Sequence, residues 1–429
     1  MADLTSLLNM LRNDMPHLRT LKHIAIERES ICVGNNAVVV RCYIEELGGV
    51  VKLKCYYRPH HNLAKLYGKA YYPREVGLYT LMGHIEYLDA VITPWVEGRA
   101  LDRALNDTNA DYLSLSRAFD AMACNTLAMA TAHGDIKPDN IIVCDDSSML
   151  LIDWDAAWRP DIDRIEEWGT MGFRHPLRRN SDFNKHIDDY PIALLSTMLA
   201  ALATDSQYFV PHLHDDGSMF SPELLLRGGD VLLDHAIGLF AEQGDVVHYR
   251  IAKSLYTQHP MIPRLADYLR YSYVVLPETI PDGCTAECCE GLWGCHLNGT
   301  WIIPPLYDEL SVIDDHTCQL RIDEQRILLK MRGEIRFDVD IPADLERRMR
   351  LLEALRAVER KILLPRQTDK GCKCASGNRI PRHWSAEEDE RLVMMYSDNM
   401  SLRYIAHMLN RSEAAVRRRL SALHLPRKK

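Results

Sequence analysis

Hydrophobic spacing changes several times along the chain. Leu4, Leu7, Leu8, Leu11 and Met15 recur every three or four residues, which predicts an amphipathic helix in residues 1–22 that packs on the domain after it. From Ile24 to Tyr57 the pattern becomes alternation and β-branched runs at 24–26, 31–33, 37–40 and 50–56. With Gly48-Gly49 as a tight turn, these runs predict antiparallel strands. Pro73 suits the first turn of a helix, and Val76, Tyr79, Leu81 and Met82 after it predict a helix there. Residues 88–93 read as a strand and 112–132 as a long helix. The short apolar runs 141–143 and 149–152, on either side of Asp145-Asp146-Ser147, predict a buried hairpin. An apolar helix follows from Asp188 to about Leu202, and 220–275 is helical by composition. Strand patterns return at 291–309, 326–331 and 335–339, with a turn at Arg332-Gly333. In 344–364 the apolar stripe Leu345, Met349, Leu352, Leu355, Val358 and Ile362 predicts a linker helix. The fold class is therefore α+β.

Composition sets the class of molecule. With 429 residues, 47% apolar and 26% charged, the chain has room for two or three packed domains. No run of about 18 apolar residues occurs, and no basic segment with an apolar core opens the chain, so a cytoplasmic protein without membrane contact is expected. Twelve cysteines without a compact framework point to thiols in a reducing compartment. Cys284, Cys288, Cys289 and Cys295, like Cys372 and Cys374, lack zinc-ribbon spacing. The net charge of −9 hides an asymmetry: from Arg379 onward eleven Lys and Arg face six acids, a local excess of five positive charges.

The densest chemistry lies between His133 and Asp155. A loop, a strand, a turn and a second strand bring carboxylates to both ends of one hairpin. Phosphoryl transfer needs that convergence, because its catalysis is mostly positioning and charge neutralisation. Asp135 suits proton acceptance from an attacking hydroxyl, and Lys137 suits neutralising the migrating phosphoryl group. Asn140 and Asp153 suit Mg²⁺ through oxygen.

Asp135-x-x-x-x-Asn140, followed by a hairpin that ends in Asp153, resembles the catalytic and metal-binding loops of the protein kinase family, in its bacterial serine/threonine style. The resemblance implies a bilobal kinase-like domain over 23–280, with a first lobe to about 93 and a second from about 99. It also implies ATP and Mg²⁺ as cofactors and a protein hydroxyl as acceptor. Gly34-Asn35-Asn36 stands where the family has its glycine-rich phosphate loop; with one glycine, it is either a backbone cradle for phosphate or an ordinary hairpin turn. Lys52 and Lys54 share one strand face, and the family spacing selects Lys54 as the phosphate-binding lysine. Glu75 is then the implied ion-pair partner of Lys54, or else an acid favoured by a helix first turn alone. Pro94 to Gly98 resembles the hinge, with Trp95 and Val96 offering backbone groups to adenine. His133, Thr170 and Asp188 match supporting positions, Asp188 as the acid that caps the catalytic-loop backbone. Two departures stand out: Gly134 replaces the family's arginine, and Trp154-Asp155 replaces Phe-Gly. Losing the glycine at 155 implies a restricted backbone flip.

Beyond the catalytic segment, Gly291 to Glu309, with Trp293-Gly294, Gly299 and Trp301, resembles one WG repeat within a β module at 284–341. A repeat unit cannot bury a face alone, so this module implies packing in cis, a partner protein or self-association. A flexible linker is expected at 365–383. Residues 384–429 resemble a Myb/SANT-like three-helix helix-turn-helix, from Trp384, Leu392, Ile405-Ala406, Leu409, Val416 and Leu420. That resemblance implies DNA contact through Arg403, Arg417, Arg418 and Arg419; related modules also bind proteins. The expected function is an ATP-dependent serine/threonine protein kinase with an attached DNA-binding module. Transfer to a small molecule, and a pseudokinase scaffold, are the alternatives.

Overall fold

The alternating stretches between Ile24 and Pro94 build one antiparallel sheet. The computed structural model describes residues 4–13, 17–21, 23–79, 84–274, 276–323, 325–331 and 334–337. In the C-terminal module it describes Leu392, Tyr396, Leu402, Ile405, Ala406, Leu409, Arg411 and 413–422. The first seven strands are β1 (His17–Leu18), β2 (Ile24–Ile26), β3 (Cys32–Val33), β4 (Ala37–Ile44), β5 (Gly49–Tyr56), β6 (Tyr71–Tyr79) and β7 (Ile85–Pro94). Their order is β1-β6-β7-β5-β4-β2, with β3 beside β4, and the sheet curls into a half-barrel. β5 is interior, so Leu53 faces Val40 across one ladder and Ile92 across the other.

One face of this sheet is covered by α1 (Leu4–Arg12), the helix expected from the N-terminal periodicity. Leu7, Met10 and Leu11 pack against Val38, Val40, Ile44, Leu53, Val76 and Leu78. Nine residues are too few for a stable isolated helix, and burial of each leucine at about 1.5–3 kcal/mol supplies what propensity does not. Met15 lies outside the described residues.

The helix expected from Pro73 is instead strand β6. Its register shifts between Tyr72 and Val76, where Arg74 takes φ 51°, so Pro73 sits in a bulge that needs no ladder N–H. Tyr71, Tyr72, Val76 and Tyr79 favour strand, and Gly77 would cost a helix about 1 kcal/mol. Gly77 also faces His17 of β1, and a Cβ there would lie 2.9 Å from the imidazole. Leu81 and Met82 lie outside the described residues.

α2 (Leu63–Tyr67) lies between β5 and β6, and after the sheet come α3 (Leu101–Leu105), α4 (Tyr112–Leu127) and α5 (Asp189–Thr204). α6 (Ser206–Phe209), α7 (Pro222–Arg227), α8 (Val231–Gln243), α9 (Val246–Ser254) and α10 (Leu265–Arg270) complete this part. The predicted hairpin forms as β9 (Ile141–Val143) and β10 (Met149–Leu151), with β8 (Arg99–Ala100) on its edge. α4 stops five residues before the expected end, and Asp111 caps it by accepting from the Ser114 amide. α5 is apolar on all sides and buried throughout its centre. One buried polar network joins three of these helices: Ser196 Oγ donates to Asp120 Oδ1 at 2.7 Å, and His248 Nε2 lies 3.0 Å from Asp120 Oδ2.

By spatial clustering the chain divides into two units, residues 1–240 with 246–273, and 241–245 with 274–429. The boundary falls after Tyr273, earlier than the expected 280, because Ile280 already donates to the Asp315 carbonyl of the β module. In that module β11 (Thr285–Cys289), β12 (Leu292–Leu297) and β13 (Thr300–Tyr307) form one sheet. β14 (Glu309–Asp314), β15 (Thr317–Ile322), β16 (Gln325–Lys330) and β17 (Glu334–Phe337) form another. The expected strands at 291–309 and 326–331 thus lie within this module, as do 335–337 of the one expected at 335–339, whose last two residues lie outside the described residues. The linker helix at 342–364 and the linker at 365–383 lie outside the described residues.

In the C-terminal module, α11 (Glu413–Ala422) presents Val416 and Leu420 to a cluster with Leu392, Ile405, Ala406 and Leu409. These are apolar positions on which the three-helix resemblance rests; Trp384, named with them, lies outside the described residues. Among the described residues no helix is long and apolar enough to cross a membrane.

Candidate functional site

Two loops and one strand meet where the first sheet adjoins the helical part. The loop 133–140 is fixed first through its backbone. Asp188, at the start of α5, accepts from the amides of His133 at 2.5 Å and Gly134 at 2.8 Å. Burial pushes the Asp188 carboxyl above its ordinary range, opposed by His133 and those two amides. His133 is fully buried; its Nε2 lies 2.8 Å from the Ile152 carbonyl oxygen, and its ring meets Trp154 edge-on at 4.8 Å. The Ile152 amide in turn donates to the Asn140 carbonyl at 2.9 Å, so the 133–140 loop and the strand leading to Asp153 are stitched together.

Gly134 stands where its backbone admits no side chain. It takes φ 83°, and a Cβ would lie 2.1 Å from the Ala156 carbonyl oxygen, so an arginine cannot occupy this position. A guanidinium still reaches the spot from elsewhere: Arg178 Nη1 donates to the Gly134 carbonyl at 3.3 Å.

Asp135, Lys137 and Asn140 come together as the spacing implied. Asn140 Nδ2 donates to the Asp135 carbonyl at 2.8 Å and to Oδ2 at 3.1 Å, and Lys137 Nζ lies 3.7 Å from the same Oδ2. Because Nδ2 faces Asp135, Oδ1 is the atom that Asn140 has left for a cation. Thr170 donates its amide to Asp135 Oδ1 at 2.6 Å, so it supports the site through backbone. Burial opposes the charge of Lys137, and Asp135 and Asp139 outweigh it, raising the ammonium above its ordinary value.

Lys54 descends from β5 onto this assembly. Its ammonium pairs with Asp153 and lies 2.7 Å from Asp155 Oδ2. Burial works against the charged form, yet the two carboxylates raise the lysine above its usual pKa. Asp153 is likewise opposed by burial and is held below the carboxylate range by Lys54 and Lys52. Lys52 shares the strand face and the field but not the contact, and burial lowers it. Alternation and family spacing therefore select the lysine that touches the carboxylates.

Glu75 is not among the partners of Lys54. On β6 it is almost fully buried and turned to the N-terminal segment, where Oε1 accepts from the amides of Thr20 at 2.7 Å and Leu21 at 2.9 Å. Oε2 accepts from Thr20 Oγ1 at 2.7 Å. The strand at 71–79 removes the helix that was to deliver this acid, so its expected role is corrected to that of a fastener between β6 and residues 20–21.

Gly34, Asn35 and Asn36 form the turn from β3 to β4. Gly34 donates to the Ala37 carbonyl at 2.9 Å, and neither asparagine uses positive φ. Asn36 Nδ2 reaches Glu167 Oε1 at 2.7 Å, tying this turn to the segment that also carries Thr170. Trp95 donates its amide to the Val50 carbonyl at 3.3 Å and lies under the Arg41 guanidinium. Among the described residues, neither the amide nor the carbonyl of Val96 has a partner. On α11, Arg417 is exposed and Arg418 and Arg419 follow it; Arg403 lies outside the described residues.

Sequence reasoning missed Asp155, Tyr56 and Tyr67. Tyr56 Oη donates to both oxygens of Asp155, at 2.8 and 2.9 Å, and Tyr67 Oη donates to Oδ1 at 2.6 Å. A signal existed for two of them: Tyr56 lies two residues beyond Lys54 on the same strand face, and Asp155 repeats the acid of Asp153 one residue apart. Nothing local marks Tyr67, which reaches the site from α2. His60, Asp155 and Glu167 offer ligand atoms within 4.8 Å of one another, but the Asp155 oxygens are already occupied by two phenols and Lys54.

No protein-family model and no curated protein matches this chain.

Proposed function

We propose that the chain is an ATP- and Mg²⁺-dependent phosphotransferase of protein-kinase type, acting on a serine or threonine hydroxyl of a protein, with a C-terminal module that binds DNA. One observation carries this reading: Asp135 touches both Lys137 and Asn140, Lys54 pairs with Asp153, and the Ile152 amide beside Asp153 donates to the Asn140 carbonyl, which ties the two groups together. A curled sheet followed by a helical part, with these groups at their junction, supports a bilobal kinase-like arrangement.

Asn140 and Asp153 would hold the metal. Both offer hard oxygen ligands, and Asp153 stays ionised beside Lys54 and Lys52, as Mg²⁺ requires. Bound Mg²⁺·ATP supplies the phosphoryl group and neutralises charge that develops on its oxygens. Lys54 grips phosphate oxygens. The Val96 backbone, whose amide and carbonyl have no partner among the described residues, suits the adenine edge. Asp135 orients the acceptor hydroxyl and takes its proton, while Lys137 beside it stabilises charge on the group in transit. Fixing these groups in place is most of the catalysis available to such a site. The Arg417-Arg418-Arg419 run on a helix backed by its own apolar cluster supports nucleic-acid contact, mostly with phosphates.

Radiolabelled ATP, incubated with the purified chain and generic protein acceptors, tests the reading. Label on protein, lost with Asp135→Ala, is expected. Label found only on small metabolites moves the acceptor to that class, and no turnover of ATP removes the enzyme.

A further inference from the structure

Lys54 has two anionic partners with unlike surroundings. The Asp153 side chain is 33% exposed, and its backbone lies in the αL region at φ 69°. The Asp155 side chain is 3% exposed, and its carboxylate is enclosed by Lys54, Tyr56 and Tyr67. His60 Nε2 lies 3.1 Å from the Asp155 carbonyl oxygen and holds the backbone as well. Burial and the nearby carboxylate push both phenols far above their usual pKa, so they remain donors.

A buried ammonium needs a counter-charge throughout a catalytic cycle. Asp153 cannot be that permanent partner if it turns to a cation, and Glu75 faces residues 20–21. We infer that Asp155 is the positioning carboxylate of the nucleotide site: with Tyr56 and Tyr67 it anchors Lys54 for phosphate binding and releases Asp153 to the metal. Asp155 thus does the work expected of Glu75, from the segment that follows the metal-binding residue rather than from a separate helix. Turning this segment outward would break four hydrogen bonds or ion pairs to one carboxylate and strand Lys54 without its anchor. The inference rests on the phosphotransferase reading, and its test separates the two.

The test uses the full chain and two readouts. The first is kcat and KM for Mg²⁺·ATP. The second is acetylation of Lys54 by acetic anhydride without nucleotide, quantified by peptide mass spectrometry, which needs no activity. Asp155→Asn removes the ion pair that holds the Lys54 amine against the buried carboxylate and frees the side chain to meet the reagent, so this variant should raise Lys54 acetylation about tenfold. Its kcat/KM for Mg²⁺·ATP should fall about a hundredfold as the lysine loses its position. Glu75→Gln should change both by less than about twofold, since it touches neither lysine nor nucleotide. Tyr67→Phe, which removes one hydrogen bond to Asp155, should shift both in the direction of Asp155→Asn by about threefold. Unchanged Lys54 acetylation in Asp155→Asn, or a Glu75→Gln variant that reproduces its kinetic loss, overturns the inference. Should Asp155→Asn yield no soluble protein, unchanged acetylation in Tyr67→Phe overturns it instead. A wild-type chain inert toward ATP, with Lys54 unmasked in Asp155→Asn, sinks the phosphotransferase reading and leaves the anchor standing.

Discussion

Placing an arginine at position 134 would look like a repair if the resemblance to the kinase pattern were the only guide. The structure forecasts damage, and Gly134→Ala is the cleanest probe because it adds one methyl group. A non-glycine residue in the left-handed region costs about 1–2 kcal/mol. The new Cβ would also lie 2.1 Å from the Ala156 carbonyl oxygen, against an ordinary contact above 3.4 Å, so backbone must move by more than 1 Å. Overpacking of that kind costs about 1–3 kcal/mol. A total of about 3 kcal/mol is a large part of a typical 5–15 kcal/mol stability and corresponds to a melting temperature lower by about 6–12 °C in a domain of this size. Asp135 is the next residue, and a displacement of about 1 Å there should lower kcat about a hundredfold. Gly134→Arg should be worse on both counts. Calorimetry of the unfolding transition, with ATP turnover on the same samples, measures both effects. A Gly134→Ala variant with wild-type melting temperature and rate would refute the steric argument.

Asp135→Ala and Asp153→Ala should each abolish phosphoryl transfer while circular dichroism stays native, and turnover that survives Asp153→Ala removes the metal assignment. The Lys54–Asp153 pair makes a pH prediction whose sign follows from its two shifts. Asp153 is depressed, so its contribution is present above the unfolded carboxylate pKa and is lost as pH falls through the lower folded value; Lys54 is raised, so its contribution is complete below the unfolded lysine pKa and is lost as pH rises through the folded value. Lys54→Met should therefore flatten the pH dependence of melting temperature at both ends, and an unaltered profile counts against the pair. Glu75→Ala should destabilise the first unit by about 2–4 kcal/mol, because it leaves the amides of Thr20 and Leu21 without their acceptor, read by denaturant titration. Replacing Arg417, Arg418 and Arg419 with alanine should reduce the slope of log affinity for duplex DNA against log salt by up to about 3, with ATP turnover unchanged; an unchanged slope places any DNA contact elsewhere.

Local chemistry settled more of this protein than its global arrangement did. The hairpin with Asp135, Asn140 and Asp153 was legible because loop, strand, turn and strand follow within about twenty residues, and the spacing itself fixes which side chains share an end. Period-two alternation put Lys52 and Lys54 on one face and only the resemblance to the kinase spacing selected Lys54, whereas the N-terminal helix was legible because its stripe has one periodicity. The apolar residues of the C-terminal module likewise belong to one cluster. Tertiary structure decided the rest. Residues 71–79 carry both helical spacing and strand formers, and pairing with β1 and β7 resolved that conflict in favour of strand. That choice turned Glu75 toward Thr20 and left a buried ammonium to be satisfied by carboxylates from elsewhere in the fold. Asp155 and Tyr67 answer it from 101 and 13 positions along the chain, a juxtaposition that no local pattern encodes because ion pairing depends on distance through space and not on separation in sequence.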